Sequence, residues 1–390
     1  MMSGWRLLLS GLLVFSLTAT FVRGHNTEKL HLNHLSTKGQ FKRMGHGLEH
    51  TEYGKYLTGL ATQINSAANT QGWLADTDHK FTSFSREEAS ILAGSIIKPD
   101  DHLKFPAKVF DDSAIKAAPD SFDARTAWPN CSSLFEIYDQ ANCGSDYAFA
   151  AVEALQDRIC IKTKQDYQVR LSAEDLLECC DKCGNGCGGG SPSGAWDYLY
   201  DYGVCTGSYY MNQEWCKPYF FAPCSHTGQS RVYPPCPAQA QTPRCYYVCP
   251  NRYYETLYGM DMHFSNGAET VPYVSMTTEI SSNGPVTATM DLYEDFLTYK
   301  SGVYSHVSGN KLGKLSVKIL GYGTENGKMF WLAANSWNET WGIQGFFKIL
   351  RGTNECNIEQ NVIAGTVGNG SLSSWKYKSS QQFASINRRD

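Results

Sequence analysis

The sequence predicts an α+β fold in which a helical lobe and a strand-rich lobe pack together with a cleft between them. Three observations lead there. A helical pattern opens the cysteine-bearing region, with Ala148, Val152, Leu155 and Ile159 recurring at steps of four, three and four. Later, apolar and polar residues alternate around 317–320, 330–334 and 346–350, as half-buried strands do. Helices first and strands second imply separate packed layers, and the junction of two layers is where clefts form. Finally, all 14 cysteines lie between Cys131 and Cys356, so the first 130 residues have a different character.

The chain has 390 residues and 34 Lys+Arg against 38 Asp+Glu, a formal net charge of -4. Binding a phosphate backbone needs a basic surplus, so no nucleic-acid partner is expected. A hydrophobic fraction of 42% with 18% charged residues excludes wholesale disorder. At the N-terminus, Arg6 precedes a mostly apolar run of 13 residues, 7–19. That is too short to cross a bilayer and matches the h-region of a secretory signal, so residues 1–24 are expected to be a removable signal peptide. No later stretch reaches about 18 consecutive apolar residues, and no membrane span is expected. Passage through the secretory pathway, to the outside or to the lysosome, makes the cysteines a disulfide framework. Sequons at Asn130, Asn338 and Asn369 are compatible with that route.

Residues 25–117 read as a separate leader, or prosegment. They contain no cysteine and seven of the ten histidines: His25, His31, His34, His46, His50, His79 and His102. A His-rich tract can bind metal, but these spacings make no ligand set of matching geometry. A solvated, partly helical leader is the favoured reading. One helix is indicated over residues 85–97, opened by Ser85-Arg86-Glu87-Glu88, a capping-box pattern. Alone the segment buries little, so it is expected to lie on the domain that follows.

From Pro119 the texture becomes aromatic and rich in Gly and Cys. Ser145 is placed to cap the helix after it, and Asp146 falls in the first turn, where negative charge meets the helix dipole favourably. The run Cys179-Cys180-Asp181-Lys182-Cys183-Gly184-Asn185-Gly186-Cys187 can be read as a zinc site. Zinc sites usually pair two short knuckles across a longer loop. Adjacent cysteines, a secretory leader and Gly188-Gly189-Gly190 fit disulfide packing better. No metal and no cofactor is expected.

The stretch Asp139-Gln140-Ala141-Asn142-Cys143-Gly144-Ser145-Asp146-Tyr147-Ala148-Phe149 resembles the nucleophile segment of papain-like cysteine peptidases, Q-x-x-C-G-S-C-[WY]. Asn335-Ser336-Trp337-Asn338-Glu339-Thr340-Trp341-Gly342 looks like the same family's Asn-Ser-Trp segment. Other features resemble the cathepsin B branch. Ser121-Phe122-Asp123-Ala124-Arg125 and Trp128-Pro129 are similar to its mature N-terminus. The insert from Cys224 to Cys236 looks like its occluding loop. Gly302-Val303-Tyr304-Ser305-His306-Val307 resembles the run before its catalytic histidine. The resemblance spans roughly residues 118–366 and, more weakly, the leader around Asn69-Thr70-Gln71-Gly72-Trp73. It implies a papain-like two-lobe fold, with a helical left lobe and a β-barrel-like right lobe, over 118–367. A polar tail at 368–390 lies beyond it, and a monomer is expected.

Such a peptidase needs a thiolate at a helix N-terminus, an imidazole to share its proton, an amide to orient the imidazole, and donors for the oxyanion. By resemblance, Gln140 matches the oxyanion-hole glutamine and Asn335 the orienting asparagine. Asp146, however, stands at the nucleophile position. Leu315 stands at the histidine position, within Gly313-Lys314-Leu315-Ser316, and no histidine follows His306. A carboxylate at a helix N-terminus should have a depressed pKa, making it a weak nucleophile and a poor base. Losing nucleophile and base costs about 10⁶ in turnover in other triads.

On the substrate side, Gly189 and Gly190 match the glycines along which family substrates pair their backbone. Trp337 matches an aromatic flanking the histidine. Asn361 falls where cathepsin B places an acid at the base of its second specificity pocket. His226 aligns with the first of two histidines that grip a substrate's C-terminal carboxylate, Thr227 replaces the second, and Asp139 is expected to pair with His226. The disulfides implied are Cys131–Cys160, Cys143–Cys187, Cys179–Cys245, Cys180–Cys183, Cys216–Cys249 and Cys224–Cys236, leaving Cys205 and Cys356 unpaired. The reading is a cathepsin B-like homologue without peptidase activity, binding peptides, cystatin-type inhibitors or active paralogues. Its competitors are an active peptidase with an altered site and a structural or storage protein.

Overall fold

A computed structural model of the chain describes residues 50–101, 104–223 and 240–368, all within the compact unit Gly47–Asp390. The expected signal peptide, the polar tail from 369, and the insert with Cys224, His226, Thr227 and Cys236 lie outside the described residues.

Among the described residues the first element of the leader is α1 (Glu52–Ser66), capped by Thr51, whose hydroxyl accepts from Gly54 N; Leu57, Leu60, Ala61 and Ile64 form its buried stripe. After α2 (Ala68–Gln71) comes β1 (Trp73–Ala75). It pairs antiparallel with β5 (Tyr299–Tyr304), Trp73 opposite Gly302. A side chain at 302 would meet the Gly72 carbonyl oxygen at 2.5 Å, and its φ of +88° favours glycine. The helix predicted over 85–97 is shorter, α3 (Arg86–Ile91), although the Ser85–Glu88 capping box forms as expected. Beyond it the chain extends, because Gly94 and Ser95 bridge to Lys314 and Gly190 instead of continuing the helix. The leader closes with α4 (Asp112–Ala117), and β2 (Phe122–Asp123) and α5 (Ala124–Ala127) follow.

The left lobe is built on α6 (Asp146–Lys162), α7 (Ala173–Cys179) and α8 (Pro192–Asp201). The expected stripe of α6 is buried, and so is every other residue from Asp146 to Cys160. A helix buried on all sides must partner its charges. Lys318 Nζ lies 2.8 Å from Asp157 and 3.3 Å from Glu153, and Arg158 lies 2.8 Å from Glu279.

The right lobe holds β3 (Ala268–Thr270), α9 (Tyr273–Asn283), β4 (Val286–Tyr293), β5, β6 (Lys311–Glu325), β7 (Lys328–Ala334), β8 (Phe346–Leu350) and β9 (Asn361–Gly365). The three predicted strands are the cores of β6, β7 and β8. A barrel-like lobe was expected; instead the sheet is open, with order β1-β5-β8-β7-β6-β4-β9-β3 and β2 beside β6. The leader's β1 occupies one edge and β3 the other, so no pairing joins the ends. Along β6 the two-residue period divides the side chains. Leu315, Val317 and Ile319 enter the right-lobe core, while Ser316 and Lys318 meet α6.

The leader lies on the domain as expected and shares its core. Leu57, Ile64, Trp73, Phe81 and Phe84 belong to one apolar cluster with Phe296, Leu315, Trp337 and Phe347. Trp73 meets Tyr304 edge-on at 5.0 Å and donates from Nε1 to Ser305 O at 3.0 Å. Five of the implied disulfides are present: Cys131–Cys160, Cys143–Cys187, Cys179–Cys245, Cys180–Cys183 and Cys216–Cys249. Cys205 and Cys356 are free and buried.

Candidate functional site

The implied catalytic positions converge at the N-terminus of α6, where the loop before it, strand β6 and the loop after β7 meet. The Cys143–Cys187 bond and the 3.0 Å hydrogen bond from Gly144 N to Cys187 O hold the loop before α6 against the segment carrying Gly189 and Gly190. Gln140 is fully buried. Its Oε1 accepts from Ser336 Oγ at 2.6 Å, and its Nε2 donates to Cys143 O at 2.8 Å and to the leader's Leu92 O at 3.3 Å. Ser145 holds the N-cap position but does not cap with its side chain: its hydroxyl pairs with Tyr219 Oη at 2.9 Å.

Asp146 has no solvent exposure. Its Oδ1 accepts from Gly94 N at 2.8 Å, and its Oδ2 from Ser95 Oγ at 2.5 Å and Ser316 N at 2.7 Å. The depressed pKa expected from the helix position does not occur. Burial pushes the carboxyl up to about 7, and the hydrogen bonds from Ser95, Ser316 and Gly94 only partly oppose it. Desolvation outweighs the dipole here because the carboxyl is fully buried, and the favourable field of a helix N-terminus offsets only part of the cost of taking a charge out of water.

Leu315 is fully buried among the right-lobe apolar residues, and its neighbour Ser316 is the β6 residue that reaches Asp146. Asn335 accepts at Oδ1 from Ser336 N at 2.9 Å, while its buried Nδ2 has no hydrogen-bond partner among the described residues. Trp337 packs edge-on against the leader's Phe81, centroids 5.6 Å apart, and is almost wholly buried. Asn361, half-buried on β9, stands opposite Thr289 of β4. Asp139 accepts from Ala141 N at 2.8 Å, and the leader's Lys80, whose ammonium donates to Trp337 O, faces its charge.

The cleft between these groups is filled by leader residues 92–96. Gly190 N donates to Gly94 O at 2.8 Å, Ile96 N to Gly190 O at 2.8 Å, and Ser95 N to Lys314 O at 3.1 Å. Of the two glycines expected to pair with a substrate, Gly190 therefore pairs with the leader, whereas Gly189 bonds within its own loop, to Gly186 O and Asn185 N. Sequence reasoning missed Gly94, Ser95, Ser316 and Thr289. A glycine inside a run read as helical was the available signal for a break at Gly94; the others sit in stretches without any local mark.

This architecture is that of a peptidase proform: two lobes, a cleft, and a leader laid through it. Residues 118–366 match the family model described as papain family cysteine protease, and the chain belongs to that family. Within it, the relatives are cathepsin B-like. Cathepsin B-like cysteine proteinase 4 of Caenorhabditis elegans is 49% identical over 250 residues, covering 63% of this chain and 75% of that protein. A cathepsin B-like cysteine proteinase of Schistosoma japonicum is 42% identical over 302 residues, covering 76% and 86%. Among solved structures, procathepsin B S9 from Trypanosoma congolense has a TM-score of 0.68 at 33% identity, covering 79% of this chain and 97% of that one.

Proposed function

We propose that the chain is a cathepsin B-like papain-family protein that binds in its cleft but does not hydrolyse peptides, with Asp146 in place of the nucleophilic cysteine and Leu315 in place of the histidine. The observation that carries this reading is the state of Asp146: both oxygens accept from Gly94, Ser95 and Ser316, and no imidazole bonds to it among the described residues. Three of the described histidines are engaged elsewhere, His79 with Thr58, His263 with Tyr167 and His306 with Asp295. Neither free thiol offers a substitute: Cys205 packs with Tyr258 and Phe264, Cys356 lies in the right-lobe core, and burial raises the pKa of both. The occupants such a cleft suits are peptides, cystatin-type inhibitors or active paralogues. Passage through the secretory pathway, to the exterior or the lysosome, is part of the same reading.

The test is a peptide-hydrolysis assay with a thiol-directed epoxide probe on the processed protein. No turnover and no labelling are expected; turnover abolished by Asp146→Ala would overturn the reading. The double variant Asp146→Cys with Leu315→His is expected to recover peptide hydrolysis, because Gln140, Asn335 and the two glycines remain in place.

A further inference from the structure

We propose that the Asp146 carboxylate is a ligand-binding group, that its ligand is an extended peptide presenting a glycine followed by a hydroxyl residue, and that the chain's own Gly94 and Ser95 are the resident ligand. This rests on the non-catalytic reading above.

The main chain of the segment is held on both walls of the cleft: Gly94 O and Ile96 N pair with Gly190 on the left lobe, and Ser95 N with Lys314 O on the right. Those contacts would hold many sequences. Selectivity comes from two places. At position 94 any side chain is excluded, since a Cβ would lie 2.1 Å from the Gly144 carbonyl oxygen and 2.5 Å from its Cα. At position 95 the ligand must supply a hydroxyl. Ser95 Oγ lies 2.5 Å from Asp146 Oδ2 and 2.7 Å from Ser316 Oγ, which continues to Thr289 Oγ1 at 2.8 Å. An apolar side chain there would strip one contact from a fully buried carboxyl, and leaving a buried acceptor short of a donor is costly. A hydroxyl also suits either charge state: it donates to the carboxylate, and once the carboxyl is protonated it accepts from it while donating to Ser316.

The experiment varies the tethered ligand in the full-length chain. Hydrogen–deuterium exchange is followed at Ser95 and Ile96, whose amides bond to main-chain carbonyls rather than to Asp146, in wild type and in Gly94→Ala, Ser95→Ala, Asp146→Ala and the Ser95→Ala/Asp146→Ala double variant. Each single change is expected to speed exchange at least tenfold, and the double to fall well short of the product of the two singles, because both remove the same contact. Unchanged protection of the α1 amides shows that each variant is folded. Exchange within twofold of wild type in Ser95→Ala and Asp146→Ala, or effects that multiply, would overturn the proposal. Peptide hydrolysis on the same samples keeps the two readings apart: turnover by wild type overturns the non-catalytic function, while unaltered exchange without turnover overturns only the ligand assignment.

Discussion

Asp146 carries its negative charge at a price set by its surroundings, and that price is measurable. Its ordinary carboxyl value is 3.8 and burial raises it to about 7. Between those values the folded chain holds a proton that the unfolded chain has released, so stability is fullest below about 4 and is lost as pH rises through about 7. At about 1.4 kcal/mol for each pH unit, the loss is up to about 4 kcal/mol. No charged side chain hydrogen-bonds to the group among the described residues; its donors are Gly94, Ser95 and Ser316, and Tyr147 is the titratable neighbour that feels its charge. The prediction is differential, because Glu153, pushed up to about 7, and Glu174, pushed up to about 8, act in the same direction. In urea unfolding at pH 4.5 and pH 8, wild type should lose several kcal/mol more than Asp146→Asn; identical pH profiles would show that the carboxyl titrates normally. The sequence marked Asp146 because the motif around it is local. It could not show that residues 94, 95 and 316 meet there, since contacts between distant segments leave no pattern in any one of them.

At the level of elements, α6 and the strands β6–β8 were legible because burial gives them their period. The end of α3 was not, because capping is a local signal whereas the partners that stop the helix, Lys314 and Gly190, come from far along the chain. Closure of the right-lobe sheet was equally hidden: whether a strand edge is free depends on what pairs with it, and β1 comes from the leader. That pairing depends on Gly302. In Gly302→Ala the added methyl would strike the Gly72 carbonyl in a left-handed backbone that costs roughly 1–2 kcal/mol for other residues. The expected result is release of β1, read as faster limited proteolysis between residues 68 and 80. Cleavage no faster than in wild type would mean that the edge tolerates the intrusion.

Across the whole molecule, the leader and the right lobe divide one hydrophobic interior between them. Trp73, a leader residue, is 1% exposed, and its ring meets Tyr299 and Tyr304 of the right lobe. Replacing a buried Trp by Ala typically costs about 3–5 kcal/mol, and here the loss should fall on the full chain as a single shifted unfolding transition. Two transitions in Trp73→Ala, with the later one unmoved from wild type, would instead make the leader a separable passenger.

The contact between Ser95 and Asp146 also bears on how the chain can change over time. In a cathepsin-shaped molecule with a thiol at position 146, nothing there calls for a hydroxyl in the leader. Here the two halves carry matched chemistry, so a leader borrowed from a paralogue without a hydroxyl at position 95 would leave a buried acid one donor short. The leader and domain of this protein are fitted parts rather than interchangeable ones, and a substitution at position 95 or position 146 removes a contact that the other residue was matched to make.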